Sequence, residues 1–158
     1  MFVAMLAVLV LVSCVGKNET EMNFCGALEA AKGVAGAYAE NLEKVIETED
    51  AEAYVKLYEK FIDDRIGYFE KFSAVLYNTD LYALAPEEKE KAEALAAEIE
   101  NLEITVAKLE LDAVLSFDFT DEQETRLDEA DSKLEAVYSK LYVEESVIEP
   151  DSVDAETL

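Results

Sequence analysis

The sequence contains no histidine and no tryptophan, and only two cysteines, two prolines and five glycines. Without histidine, the chain lacks the commonest general base and the commonest transition-metal ligand. It also cannot build the Glu-x-x-His sites of di-iron helical bundles. The two cysteines, Cys14 and Cys25, form no CxxC pair. We therefore predict no catalytic residues, no cofactor site and no metal site.

Positive charge is scarce as well, with 13 lysines and arginines against 37 acidic residues and a net charge of -24. Such a surface repels phosphate backbones and anionic lipid headgroups, so we exclude nucleic acid as a partner. A basic envelope protein or divalent cations are the partners that this charge favours. The 158 residues are 51% hydrophobic and 32% charged, which predicts one globular domain.

The N-terminus carries an apolar run over residues 2–15. As a helix it would be about 21 Å long, too short for a bilayer core of about 30 Å. Its length suits the apolar region of a secretory signal, although no lysine or arginine precedes it. A polar segment, residues 16–20, follows at once.

The end of this run, Leu11-Val12-Ser13-Cys14, resembles the lipobox of bacterial lipoproteins. The resemblance implies cleavage between Ser13 and Cys14 and a diacylglycerol on the Cys14 thiol. It implies a protein that is lipid-anchored in the cell envelope and faces the periplasm or the exterior. An aspartate after the cysteine usually marks inner-membrane retention, so Val15 implies the outer membrane where a cell has one.

We accordingly divide the chain into a signal peptide (1–13), a lipidated tether (14–21), a helical domain (22–143) and an acidic, disordered tail (144–158). In four segments apolar residues recur three or four positions apart, which is the spacing of an α-helix with one buried side. The third is the clearest, with Ala92, Leu95, Ile99, Leu102, Val106, Leu109 and Ala113. Short connections predict an all-α, antiparallel up-down-up-down four-helix bundle with coiled-coil-like seams. The alternative is a three-helix bundle with a loosely attached first helix.

The sequence also indicates where these helices begin. Asp50 can cap the second helix, and Pro86 suits the first turn of the third. Thr120 and Gln123 have the spacing of a capping box before the fourth helix. The acidic cluster at residues 118–124 lacks calcium-loop spacing, so we interpret it as caps and first-turn charges.

Several residues allow two interpretations. Arg65 lies at a position of the second helix where the apolar spacing predicts an apolar residue. Its guanidinium either reaches water while the side-chain stem packs, or pairs with a carboxylate of another helix and sets the register between the helices. Cys25 is a free thiol that serves as a small buried hydrophobe, or it forms a disulfide between chains, or it bridges to Cys14 if Cys14 is not lipidated. The small residues Gly26, Ala30, Gly33 and Ala37 indicate either close approach of a neighbouring helix or local flexibility. The aromatic residues of the second helix favour a core over a ligand groove.

These features predict a non-enzymatic, lipid-anchored binding or structural module of the cell envelope. The first alternative is an acidic helical protein that binds or buffers cations. The second is an envelope enzyme, which a pocket of convergent carboxylates with perturbed pKa values would support.

Overall fold

The computed structural model describes residues 23–145, which form four helices. They are α1 (Phe24–Thr48), α2 (Ala51–Asn78), α3 (Pro86–Ser116) and α4 (Asp121–Glu145). The predicted signal peptide, Cys14 with its tether, and residues 146–158 of the predicted tail lie outside the described residues. The described part is all-α, with consecutive helices running in alternating directions, as the sequence predicts.

Local side-chain chemistry fixes where the helices begin. The side chains of Asn23 and Asp50 accept hydrogen bonds from backbone N–H groups at the starts of α1 and α2. Pro86 opens α3. Thr120 and Gln123 bond each other's backbone N–H at 3.0 and 3.3 Å, a complete capping box for α4. The predicted helix starts at Asp50, Pro86 and Thr120 are thereby confirmed.

Helices α1 and α2 are the two inner helices, because they pack against each other while α3 packs against α1 and α4 packs against α2. The packed pairs α1/α3 and α2/α4 each run in the same direction. Residues 25 and 38 of α1 contact residues 88 and 110 of α3 in that order. Residues 52 and 65 of α2 contact residues 126 and 138 of α4. Sequential helices therefore alternate in direction, but the close contacts of α3 and α4 are with parallel neighbours.

Five of the seven predicted seam residues of α3 are buried, Ala92, Leu95, Ile99, Val106 and Ala113, while Leu102 and Leu109 are half-buried. The first half of this seam packs with the start of α1 in a small apolar cluster. Its second half joins the main core, which contains residues from all four helices and the Phe117 turn. Burial of these side chains, at about 25 cal/mol per Å² of apolar surface, is the principal force that holds the helices together.

The aromatic residues of α2 belong to the core, as expected. Tyr54, Phe61, Tyr68 and Phe72 are buried. The ring of Phe61 stacks on Tyr38 of α1 with centroids 3.8 Å apart and an interplanar angle of 4°. The two stacked rings bury apolar surface between the helices. The stack therefore helps to fix α2 against α1.

One interpretation of the sequence is wrong. The small residues of α1 do not receive a neighbouring helix at Gly33, where an added Cβ would have no heavy atom within 4 Å. Gly33 and Ala37 are exposed. The reason is that α3 approaches α1 on the Leu28 and Tyr38 side instead. None of the helices within residues 23–145 has the length and apolarity needed to cross a membrane.

Candidate functional site

A polar layer crosses the middle of the bundle and receives side chains from all four helices. Tyr38 of α1 donates its hydroxyl hydrogen bond to Glu110 of α3 at 3.1 Å. Tyr58 of α2 donates to Asp131 of α4. The two tyrosine rings lie 6.4 Å apart between centroids. We refer to Tyr38, Tyr58, Glu110 and Asp131 as the polar layer.

The two carboxyl groups of the polar layer resist ionisation. Burial is the main cause that raises the pKa of Glu110, and the nearby Asp131 raises it further. The Tyr38 hydrogen bond and the positive charge of Arg65 oppose this shift. Burial likewise raises the pKa of Asp131, against the hydrogen bond from Tyr58. The layer is therefore a place where burial makes the charged carboxylate form costly.

Arg65 lies one level along the bundle from this layer. Its Nη2 donates to the Tyr138 hydroxyl of α4 at 2.8 Å, and its guanidinium carbon lies 5.5 Å from the centroid of the Phe61 ring. No carboxylate of the described residues forms a salt bridge with it. The bidentate pairing considered from the sequence is therefore wrong within residues 23–145. A role for Arg65 in setting helix register remains a prediction.

Glu103 is a carboxylate that sequence reasoning missed. Burial raises the pKa of its side chain to about 7, and Glu100 adds to the shift while Arg65 opposes it. Glu103 and Glu110 stand one heptad apart beside the α3 seam, a spacing that could have indicated an inward-facing acidic edge. The sequence indicated an inward-facing position less clearly for Asp131, whose only local indication is that it follows the buried Ala130.

Carboxylates with raised pKa values suggest an enzyme only when they line a pocket. A cavity of the described residues lies elsewhere, away from these carboxylates. It is an open groove of about 560 Å³ between α1 and α3, lined mainly by α1 residues around Gly33 and by Leu95. Glu103, Glu110 and Asp131 are not among its lining residues. The raised pKa values therefore lie within the helix packing rather than in this groove.

A separate charged contact joins α2 to α4. Arg126 binds Glu59 through two hydrogen bonds of 2.9 and 2.6 Å and reaches Glu52 at 2.9 Å. Gln123 adds a bond to Glu52 at 3.2 Å. The Arg126 hydrogen bond is the main cause that lowers the pKa of Glu52, to about 2, and it also lowers that of Glu59. We refer to Glu52, Glu59 and Arg126 as the α2/α4 clamp.

Two other predicted features can be placed. Cys25 is buried and has no disulfide partner within residues 23–145, and its thiol donates to the Glu88 carbonyl oxygen at 3.4 Å. It thus occupies the position of a small core residue. Of the acidic cluster, Asp121, Glu122 and Glu124 lie in the first turn of α4. Within residues 23–145, no three acidic or cysteine side chains are grouped to hold a metal ion.

The outer side of α3 is apolar and uncovered. Ile104, Leu111, Val114 and Leu115 are exposed by 48%, 59%, 56% and 76%. At 3.6 residues per turn, Ile104 lies about 180° around the helix from the buried Ala113. The second half of α3 is therefore apolar on two opposite sides. We refer to Ile104, Leu111, Val114 and Leu115 as the outer α3 face.

The comparisons with known proteins leave the function to be argued from this geometry. No protein-family model, no curated protein and no solved structure matches the chain.

Proposed function

We propose that the chain is a non-enzymatic, lipid-anchored cell-envelope protein that acts as a binding module, and that it binds through the outer α3 face. The observation that carries this proposal is the exposure of four large apolar side chains along about three turns of one helix. Scattered exposed apolar residues are common, but four large ones grouped on one side of a helix are typical of a surface that another molecule covers. The anchor is supported by the sequence Leu11-Val12-Ser13-Cys14.

The negative charge of the chain indicates which class of partner would bind this face. The net charge is -24, and the exposed acidic residues Glu100 and Asp112 flank the outer α3 face, where Lys108 is the one basic neighbour among these described positions. A second copy of the chain would bring the same negative charge to the contact and would be repelled. We therefore propose an amphipathic helix of a partner protein, with an apolar stripe and basic flanks, as the occupant.

The position of the face agrees with this choice. Because α1 and α3 run in the same direction and Cys25 lies beside Glu88, the chain enters the bundle at the Glu88 end. The outer α3 face begins about 24 Å beyond Glu88 and ends about 40 Å beyond it, at 1.5 Å per residue. A protein tethered through Cys14 would hold this face away from its anchor, where a partner protein reaches it more easily than lipid.

Binding is tested with two synthetic helical peptides of equal length and equal apolar stripe, one flanked by lysines and the other by glutamates. Fluorescence anisotropy with the full chain is expected to show binding of the lysine peptide that weakens at least tenfold in L111S/L115S. Tyr82→Ser, which removes another exposed apolar side chain, is the control and should leave binding unchanged. Equal binding by the wild type and L111S/L115S, or preference for the glutamate peptide, would overturn the proposed surface. Sedimentation that shows dimers dependent on Leu111 would instead assign the face to self-association.

The anchor has its own test. Mass spectrometry of the membrane fraction should find a mature N-terminus at Cys14 that carries acyl chains, and Cys14→Ser should abolish both the lipid and the cleavage. A full-length, unmodified chain in the cytosol would contradict the anchor and leave the binding surface to be judged on the peptide experiment.

A further inference from the structure

The connection between α2 and α3 ends in an uncharged, exposed stretch. Residues 81–85 are Leu-Tyr-Ala-Leu-Ala, whereas residues 49–50 are Glu-Asp and residues 117–120 include Asp118. Tyr82 is 92% exposed, the highest value among the exposed large apolar side chains within residues 23–145. Leu81 and Leu84 beside it are half-buried. We refer to residues 81–85 as the tyrosine loop.

Hydrogen bonds to the preceding residue hold the tyrosine loop in a defined turn. The Asp80 carboxylate accepts from the Tyr82 N–H at 2.9 Å, and the Asp80 carbonyl oxygen accepts from the Ala83 N–H at 3.0 Å. The Ala85 carbonyl oxygen accepts from the Lys89 N–H at 2.9 Å. Unpaired backbone groups are costly to remove from water. Because these groups are already paired, the loop can approach an apolar surface at a lower cost.

The tyrosine loop lies at the end of the bundle where the chain enters it. The Cys25 thiol reaches the Glu88 carbonyl oxygen at 3.4 Å and Lys91 pairs with Glu29 at 2.6 Å, so the first turns of α1 and α3 lie side by side. The loop directly precedes α3. At 1.5 Å per residue, the outer α3 face begins about 27 Å beyond the start of α3, and the turn at residues 117–120 lies about 45 Å beyond it. The tyrosine loop is therefore a separate surface.

The proposed lipid anchor would attach close to this end. Residues 14–22 link Cys14 to Asn23, and nine residues span at most about 30 Å. The tyrosine loop would then stay near the membrane, while residues 117–120 could reach it only if the bundle lay on its side. A tether also turns a weak contact into an intramolecular one and so raises its occupancy.

We propose that the tyrosine loop is a membrane-contact surface, in which Tyr82 enters the headgroup region of a zwitterionic bilayer and holds the bundle upright on it. This inference rests on the lipid anchor of the proposed function and adds the orientation of the domain. Tyrosine suits such a place, because its ring is apolar and its hydroxyl remains in contact with headgroups and water.

Charge selects the kind of lipid and limits the depth of the contact. The net charge of -24 repels anionic headgroups, whereas the tyrosine loop adds no charge of its own. Glu87 and Glu88 follow at once in the first turn of α3. Because these carboxylates stay in water, only the loop itself enters the headgroup region.

The test uses tryptophan as a reporter, because the chain contains none. Tyr82→Trp places a single indole in the tyrosine loop. The matched variant is Leu115→Trp, which places the same indole at an exposed apolar position 76% open to water near the far end of α3. Both full chains are isolated in their lipidated form and reconstituted into phosphatidylcholine vesicles. Contact is measured as fluorescence quenching by brominated phosphatidylcholine and by aqueous acrylamide.

We expect brominated lipid to quench Y82W at least about twofold more strongly than L115W, as an aromatic ring at the bilayer interface requires. Acrylamide should quench Y82W less than L115W. Equal quenching of the two variants would mean that the bundle lies on its side or stands clear of the bilayer, and either result would overturn the proposal.

A measurement on the unsubstituted chain guards against an effect of the new ring. In phosphatidylcholine nanodiscs with gadolinium-labelled headgroups, the amide NMR signals of residues 81–85 should broaden while those of residues 117–120 persist. Uniform broadening, or none, would overturn the membrane contact. Mass spectrometry of the same sample separates the two proposals. A lipidated Cys14 with an unaffected tyrosine loop overturns only the contact, whereas an unmodified Cys14 overturns both the anchor and the contact.

Discussion

Leu42→Ala provides the sharpest test of the core, because the chain contains a matched control. Leu42 of α1 is fully buried in the main core, whereas Leu115 of α3 is 76% exposed. Both substitutions delete the same atoms from a helix, so the change in helix propensity cancels between them. Any difference in their effect on stability then measures burial and packing alone.

For Leu42→Ala we expect the free energy of unfolding to fall by about 2–5 kcal/mol, which combines lost transfer energy with the cavity left behind. For Leu115→Ala we expect a change within about 0.5 kcal/mol. A loss of about 3 kcal/mol corresponds to a Tm lower by roughly 10 °C for a domain of this size. It is also a large share of a typical domain stability of about 5–15 kcal/mol.

The assay is urea unfolding of the full chain at pH 7, followed by far-UV circular dichroism, with slopes compared to confirm that both variants unfold as the wild type does. Similar losses in the two variants would refute the assignment of Leu42 to the core. A loss confined to Leu115→Ala would show that the outer α3 face is already covered in the isolated protein.

Four further outcomes are expected from the same unfolding assay. Gly33→Ala should stabilise α1 by about 0.5–1 kcal/mol, since the new Cβ enters open space in an exposed helix; destabilisation would reveal a neighbour there. Tyr68→Phe should be neutral or stabilising, because its hydroxyl is buried without a partner within the described residues. Tyr38→Phe should lower stability at pH 7, since it removes the donor to Glu110; a smaller loss than for Tyr68→Phe would contradict both assignments. Glu103→Gln should raise stability at pH 8 by about 1 kcal/mol, after allowance for solvent screening, and leave it nearly unchanged at pH 4.5, because the folded pKa of about 7 penalises only the ionised form; equal effects at both pH values would exclude a raised pKa.

The helices and their ends were predictable because their causes are local. The α3 seam repeats within one helix, and a capping box such as Thr120 and Gln123 needs only residues three apart. The sequence also predicted that the α2 aromatics belong to the core, since aromatic residues along one helix favour a core over a ligand groove. Of the two interpretations of the small residues of α1, close approach of a helix is wrong at Gly33, because small residues permit such contact on that side without providing a helix to make it.

The polar layer was not predictable, because each of its hydrogen bonds joins residues more than 70 positions apart. In the sequence, Glu110 and Asp131 are two of 37 acidic residues, and only their places beside buried seam positions distinguish them from charges that face water. Arg65 was recognised as anomalous for a local reason, its place in an apolar seam. Its hydrogen bond to Tyr138 depends on how α4 lies against α2, whereas the Phe61 ring lies one turn earlier on the same helix.

The sequence by itself determined the strong negative charge, the four helices, their caps and the apolar stripe that α3 buries. Composition and short-range spacing suffice for these, since each depends on residues within one or two helical turns. Only the tertiary structure decided that α3 packs beside α1 and α4 beside α2, and that a carboxylate of each outer helix bonds to a tyrosine of an inner one. It also decided which apolar stripe of α3 stays exposed. Those choices arise from competition among several apolar faces for the same partners, and that competition is settled only when all four helices pack together.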